Sequence, residues 1–363
     1  MNNYLYNPRI LPDYDIIVFC HLRWDFVYQR PQHIISRLAE TFKILVVEEP
    51  VEVYSKDKSY ITIFKIHENI HICKPLVKDL GDLGSYLKKH LRTTNHPVGW
   101  FYSPAFVSVL ESVDFDIVVY DCMDELSLFK GASPHLINQE KTLLAAADIV
   151  YAGGKSLYDV KATNHHNVFC FPSSVDVGHF SNATAEKFNK PFDLQRIGEP
   201  IIGYYGVIDE RIDLDLIRKT AARKPEFAFV MIGPLCKIET SDLPQADNIY
   251  YLGMKTYDEL PRYLHFFDFA MMPFALNEAT RYISPTKTLE YMAANKPIIS
   301  TKIKDVVRDF SSCINLVSDE AYFCNAIDNP VSGFENAYRE ILEKTSWDNT
   351  VEKMSHIINK VLA

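Results

Sequence analysis

"YISPTKTLEYMAANKPIIST", Tyr282–Thr301, is the stretch on which the reading of the fold turns. Ser284-Pro285 opens it, an apolar helical segment follows, and an Asn-Lys-Pro turn leads directly into the apolar run Pro297–Thr301. A helix handed straight to a β-branched strand is half of a βαβ unit. Lys287 and Glu290 stand three residues apart near the start of the otherwise apolar helical face. Polar groups there need a reason. A helix N-terminus offers unpaired N–H donors and a positive dipole end, which suits an anion. Pro285 removes a donor that would be spare in any case.

The same alternation runs through the chain. In the first half the expected strands are "YDIIVFC", "KILVVEE", "PVGWFYS", "FDIVVYD" and "ADIVYAG". "VYQRPQHIISRLAE" and "PHLINQEKTLLAAA" between them have helical spacing, and "SYITIFKIHENIHICKP" reads as an interrupting hairpin. The pattern restarts at Glu199 with "PIIGYYG", "FAFVMIG", "NIYYLG", "FDFAMMPF" and "KPIIS". The polar, Pro-containing stretch "SNATAEKFNKPFDLQRIGEP" between the halves reads as a linker. From about Gly333 the chain reads as helical, with a break near Trp347. Two doubly wound α/β domains are expected, each with its ligands beyond the carboxyl ends of its strands.

Bulk properties exclude several classes. The 363 residues suit two domains, and a formal net charge of −9 argues against general nucleic-acid binding. The leucines at 80, 83, 87 and 91 in and before "SYLKKHLRTTNH" read as a core stripe, with Lys88, Lys89 and Arg92 in a last helical turn that favours cations. Docking of that basic face on a membrane is the alternative. "MNNYLYNPRILPDYD" has no basic region followed by an apolar one, so no signal peptide is expected, and no run approaches the ~20 apolar residues of a membrane span. Seven scattered cysteines without a CxxC pair read as reduced thiols. The expected place is the cytoplasm, with the inner face of the cell membrane as an extension of it.

Several motifs fail on inspection. "GGKS", Gly153–Ser156, lacks the glycine that a P-loop needs where Ile149 stands. No GxGxxG follows either first strand, and neither GxSxG nor HExxH occurs. "DFD", Asp114–Asp116, precedes a strand where metal-holding carboxylates would follow one, and reads as a turn. "DLD", Asp213–Asp215, reads as a helix start. No metal site is expected.

Four polar clusters follow apolar strands, where a doubly wound fold puts its ligands. The first carries His21, Arg23, Trp24, Tyr28, Gln29 and Arg30, and the second Asp121, Asp124 and Glu125. The third, "GVIDER", has Gly206 and Arg211, and the fourth is "ALNEATRYISPTKTLEY".

The order "GYYG…VMIG…NIYYLGMKTYDELPRYLHFFDFAMMPF…SPTKTLEYMAANKPIIST" resembles the C-terminal half of retaining, nucleotide-sugar-dependent glycosyltransferases of GT-B fold, in glycosyltransferase family 4. "FPSSVDVGHF" resembles the segment that closes their N-terminal domain. "HLRWDFVYQRPQHIISRLA" and "YDCMDELSLFKGA" resemble a bacterial subgroup of cell-surface polysaccharide transferases, some of them fused to UDP-galactopyranose mutase. The resemblance covers roughly Asp15 to Trp347. It implies two facing Rossmann-like domains, an acceptor-binding one over 1–185 and a nucleotide-sugar-binding one over 186–335, with helices over 336–363 returning to the first.

The implied reaction moves a sugar, hexosyltransferase fashion, from a nucleotide-diphosphate sugar to a glycan or lipid-linked acceptor, with retention. A UDP-sugar is the expected donor, and no cofactor beyond that substrate is expected. Glu290 matches the glutamate that binds the ribose, and Ile283-Ser284-Pro285-Thr286 matches the loop whose backbone meets the diphosphate. Gly206, Lys237, Glu278 and Arg281 complete the expected donor set, with Arg211 and Lys287 as cations at the leaving group. Asp124 is expected to face the reacting centre as orienter or base, with a helix N-cap as its alternative. His21, Arg23, Trp24, Gln29 and Arg30 are expected at the acceptor.

Two positions depart from the family pattern. Tyr282 stands where the first of two glutamates belongs, which would pass the sugar contact to Glu278, and Val207 stands at an arginine position, for which Arg211 or Arg281 would compensate. A nucleotide-sugar epimerase or hydrolase on this fold, or a non-catalytic partner subunit, are the alternative readings.

Overall fold

The computed structural model describes residues 4–6, 13–50, 60–77, 80–91, 96–185 and 187–362. The chain divides into two compact units. The first comprises Met1–Ser127, Gly131–Pro172 and Asp348–Ala363; the second comprises Leu128–Lys130 and Ser173–Trp347.

The first unit holds a nine-stranded sheet: β1 (Tyr4–Tyr6), β2 (Ile16–Cys20), β3 (Ile44–Glu48), β4 (Tyr60–His67), β5 (Ile70–Leu76), β6 (Val98–Phe101), β7 (Ile117–Cys122), β8 (Ile149–Ala152) and β9 (Val168–Cys170). Its order is β1-β4-β5-β3-β2-β6-β7-β8-β9. All neighbours from β5 to β9 are parallel. The expected hairpin is β4–β5, antiparallel, with β1 antiparallel on its outer edge. Helices α1 (Arg30–Leu38), α2 (Leu80–His90), α3 (Leu136–Ala146) and α4 (Lys155–Lys161) provide the connections. Every residue of β2, β3, β6, β7 and β8 is buried, as strands covered on both faces must be. Ile34, Ile35 and Leu38 form the buried stripe of α1, and such side chains stabilise by roughly 1.5–3 kcal/mol each when fully buried. In α2, Leu83 and Leu87 are buried while Lys88 and Lys89 are exposed in the last turn; Arg92 lies outside the described residues.

The second unit contains α5 (Val177–Ala185), β10 (Ile201–Tyr205), α6 (Leu214–Arg223), β11 (Ala228–Ile232), β12 (Ile249–Tyr251), α7 (Leu260–His265), β13 (Phe269–Met272), α8 (Lys287–Ala293), β14 (Ile298–Thr301), α9 (Lys304–Phe310), β15 (Asn315–Val317), α10 (Glu320–Asp328) and α11 (Glu335–Leu342). Its six strands are all parallel, in the order β12-β11-β10-β13-β14-β15. The strand order reverses between β10 and β13, the switch point beyond which ligands bind in such sheets. "DLD" starts α6 as expected, with the Asp213 carboxylate accepting from the Leu216 N–H at 2.8 Å.

Two features differ from the sequence reading. The stretch 181–200 is not linker throughout, because its first residues finish α5, where Phe180 and Ala183 are buried. The compact units part at Pro172/Ser173 accordingly. Of the helices expected over 336–363 to return to the first domain, only α12 (Trp347–Leu362) belongs to the first unit, from Asp348 onward, where the Tyr151 hydroxyl donates to the Met354 carbonyl at 2.9 Å and Arg37 pairs with Asp348, whereas α11 lies in the second unit. Among the described residues, no helix is long and apolar enough to cross a membrane.

Candidate active site

At the switch point of the second sheet, β10 and β11 are both followed directly by glycines with positive φ, Gly206 at 140° and Gly233 at 148°. A Cβ on Gly233 would lie 1.8 Å from the Gly206 carbonyl oxygen. A Cβ on Gly206 would lie 2.2 Å from Cε and 2.9 Å from Nζ of Lys287. Only glycine permits this approach, and it sets the Lys287 ammonium against the carboxyl end of β10.

Glu290, one turn along α8, is 7% exposed. Its Oε2 accepts a 2.8 Å hydrogen bond from the Tyr205 hydroxyl, the last residue of β10. Tyr205 is itself held: its N–H donates to the Tyr291 hydroxyl at 3.3 Å and the two rings meet edge to face. Burial raises the Glu290 pKa above the ordinary carboxylate value, opposed by the Lys287 charge and then by the Tyr205 hydrogen bond. A carboxylate has two acceptor oxygens, and Tyr205 occupies one of them.

The turn before α8 is tied from a distance in sequence. The Ser173 hydroxyl donates to the Ser284 carbonyl at 2.9 Å and accepts from the Thr286 hydroxyl at 3.0 Å. The Pro285 carbonyl accepts from Thr288 N–H and the Thr286 carbonyl from Leu289 and Glu290 N–H, which starts the helix. Thr288, buried, anchors the underside through a hydroxyl contact of 3.3 Å to Met272 sulfur.

The other expected donor residues separate into two groups. Arg211 is already paired: Nε and Nη2 bind the buried Asp209 carboxylate at 2.7–3.1 Å, and its guanidinium covers the Phe129 ring at 5.3 Å. Lys237, in the left-handed region at φ 60°, covers the same ring at 5.2 Å and lies 3.8 Å from Glu210. Glu278 and Arg281 are exposed and pair with each other at 3.4 Å, and Arg281 also covers the Tyr282 ring at 5.2 Å. Among the described residues, no hydrogen bond or ion pair links Glu278 or Arg281 to Glu290.

In the first unit the polar loop after β2 is organised by two buried groups that sequence reasoning missed. Glu48, at the end of β3, accepts from Trp24 N–H at 2.8 Å and from Arg23 Nη1 at 3.1 Å. The Gln32 amide donates to the Trp24 and Val27 carbonyls and accepts from Gln29 N–H at 3.0 Å. Gln29 is the N-cap of α1, while His21, Arg23 and Trp24 are half-buried. Arg30 is the buried member of that expected set. It is 4% exposed, binds Asp121 through Nε and Nη2 at 2.9–3.4 Å, and donates from Nη1 to the Phe171 carbonyl at 2.7 Å. Nε, Nη1 and Nη2 each donate to one of these inward partners, so Arg30 braces β7 and the residue that follows β9.

Asp124 lies half-buried in the turn after β7, and no helix begins at it; the following 3-10 turn is Leu126–Leu128. Its neighbour Glu125 is fixed by the buried Lys161 at 2.7 Å, which also holds Glu140 at 2.6 Å. "GGKS" supplies the start of α4, with Gly154 as its N-cap, and "DFD" lies before β7 in a non-regular segment.

Residues 199–332 match the family model described as Glycosyl transferases group 1. A curated relative, the putative teichuronic acid biosynthesis glycosyltransferase TuaH of Bacillus subtilis (strain 168), is 24% identical over 220 residues, which cover 56% of this chain and 55% of the relative. The match thus spans about half the length of that relative. Among solved structures, sucrose-phosphate synthase from Thermosynechococcus elongatus aligns with a TM-score of 0.71 at 13% identity, over 95% of this chain and 98% of that one. HepE of Anabaena, in complex with UDP and glucose, aligns at 0.67 and 12% identity, over 96% and 100%. The chain has the GT-B fold, two parallel-sheet Rossmann-like units, and within it the segment 199–332 is what resembles the group 1 glycosyl transferases.

Proposed function

We propose that this protein is a glycosyltransferase that takes a sugar from a nucleoside-diphosphate sugar and passes it to a glycan or lipid-linked acceptor in surface polysaccharide synthesis. The observation that carries the reading is the buried Glu290 carboxylate, fed by Tyr205 on one oxygen, one turn from a lysine pressed onto the glycine that follows β10. That arrangement suits a ribose diol on the second oxygen and phosphates at the helix start. The names of the relatives fit it: one is a teichuronic acid biosynthesis transferase and another is held with UDP and glucose. A UDP-sugar is therefore the proposed donor.

In this reading the bond from the anomeric carbon to the diphosphate breaks, and negative charge grows on the leaving phosphate. Lys287 and the backbone N–H groups at the start of α8 stabilise that charge without reorganising. Retention follows from front-face attack, with the leaving phosphate taking the acceptor proton and Asp124 orienting the acceptor. The cations at hand make a metal-independent reaction part of the proposal. Arg211, neutralised by Asp209, contributes less than Lys287.

A thermal-shift panel of UDP, GDP, dTDP and ADP tests the donor. A ligand at 100 times its Kd stabilises the state that binds it by ~2.7 kcal/mol. UDP should raise the melting temperature most, and release of UDP from a UDP-sugar should persist in chelator. No stabilisation by any of the four refutes the reading; activity abolished by chelator and restored by Mn²⁺ refutes its metal-free form.

A further inference from the structure

Ser173 stands 111 residues before the turn that precedes α8, yet its hydroxyl joins both ends of it. A hydroxyl has one proton and two lone pairs. The Ser284 carbonyl can only accept, so the 2.9 Å contact commits the Ser173 proton to it. The 3.0 Å contact between the two hydroxyls must then use the proton of Thr286. Both hydroxyl protons are thereby spent inside the protein. Thr286 consequently has no side-chain donor left for an anion, and the Ser284 carbonyl is turned toward Ser173.

We infer that Ser173 is a positioning residue for the donor diphosphate. It orients the Ser284–Thr286 turn so that phosphate meets backbone N–H groups and Lys287, while the Thr286 side chain acts as a latch and not as a ligand. The inference rests on the proposed reading of this turn as the diphosphate site. Ser173 touches no part of the ligand itself, and it acts through the backbone it ties. Because a net intramolecular hydrogen bond corresponds to about a 2- to 12-fold change in an equilibrium, release of the turn should be measurable in binding without unfolding the protein.

The test is calorimetry on the full chain with UDP, GDP, dTDP and ADP, each beside its nucleoside, for wild type, Ser173→Ala, Thr286→Val and the double variant. Ser173→Ala should weaken the preferred diphosphate about 5- to 10-fold and leave its nucleoside unchanged, a selectivity that general loosening would not produce. Thr286→Val should show a smaller loss of the same selective kind. The double variant should bind within about 2-fold of Ser173→Ala, because both changes release one latch. Unchanged diphosphate binding in Ser173→Ala, or an equal loss for the nucleoside, overturns the inference. Losses that multiply in the double variant also overturn it, since they would mean that the Thr286 hydroxyl meets phosphate directly. A wild type that binds none of the four diphosphates overturns the donor reading as well, whereas wild-type binding unaltered by Ser173→Ala overturns this inference alone.

Discussion

Tyr205 and Glu290, 85 residues apart in sequence, share a 2.8 Å hydrogen bond between buried side chains, and this bond supports the ionised form of a carboxylate that burial opposes. The balance has a pH consequence. Glu290 must be ionised to accept from a ribose hydroxyl, so nucleotide affinity should fall on acidification through a pKa above the usual glutamate range. Tyr205→Phe removes a group that lowers this pKa and should move the acid limb of binding to higher pH. The folded pKa exceeds the unfolded one, so the unfolded state loses its proton first. Stability of the unliganded protein should therefore fall as pH rises between the two values, and Glu290→Gln should abolish that segment. Titration calorimetry across pH 4–8 checks the shift; coincident profiles for wild type and Tyr205→Phe would contradict it.

Arg30 and Asp121 form a buried bidentate pair, so removing one partner strands the other charge. Arg30→Met should destabilise the first unit by about 3–5 kcal/mol, and Arg30→Met/Asp121→Leu should recover much of that loss. Urea denaturation measures both. A stable Arg30→Met variant that merely lost acceptor use would contradict the bracing role and favour contact with the acceptor.

Gly233→Ala would place a methyl group 1.8 Å from the Gly206 carbonyl oxygen at a φ that L-residues rarely adopt. Backbone must move, and the loss should exceed about 3 kcal/mol, at the severe end for a single substitution. Gly198→Ala, with no atom within 4 Å of the new methyl group, is the control and should change stability by no more than about 0.5 kcal/mol. Similar melting temperatures for the two variants would mean that the β10–β11 ends are looser than described.

The sequence signals explain which of these features could be foreseen. Runs such as Ile44–Glu48 and Ile201–Tyr205 are legible because strands covered on both faces need unbroken apolar residues. The strands Val168–Cys170 and Asn315–Val317 are harder to see, because three residues give little periodic signal. The turn before Lys287 and the place of Glu290 are local in sequence and therefore readable. Ser173, Tyr205, Glu48 and Gln32 are not, since their importance lies in partners that folding brings to them. Arg30 shows the converse difficulty: a polar residue after a strand can face the ligand edge or the core, and only Asp121, 91 residues away, decides it.

The proposed role of Glu290 is to hold a nucleotide ribose, and binding of UDP to wild type and Glu290→Gln tests that role. Losing hydrogen bonds to a charged group costs about 1.5–3 kcal/mol, or roughly 10- to 150-fold in affinity. A glutamate that only pairs with Lys287 at helical spacing is worth ~0.2–0.5 kcal/mol. Calorimetry should therefore show UDP bound at least 10-fold more weakly by Glu290→Gln, with both proteins folded and 2′,3′-dideoxy-UDP bound weakly and almost equally by the two. Equal affinity of wild type and Glu290→Gln for UDP would contradict the account and leave α8 a structural helix.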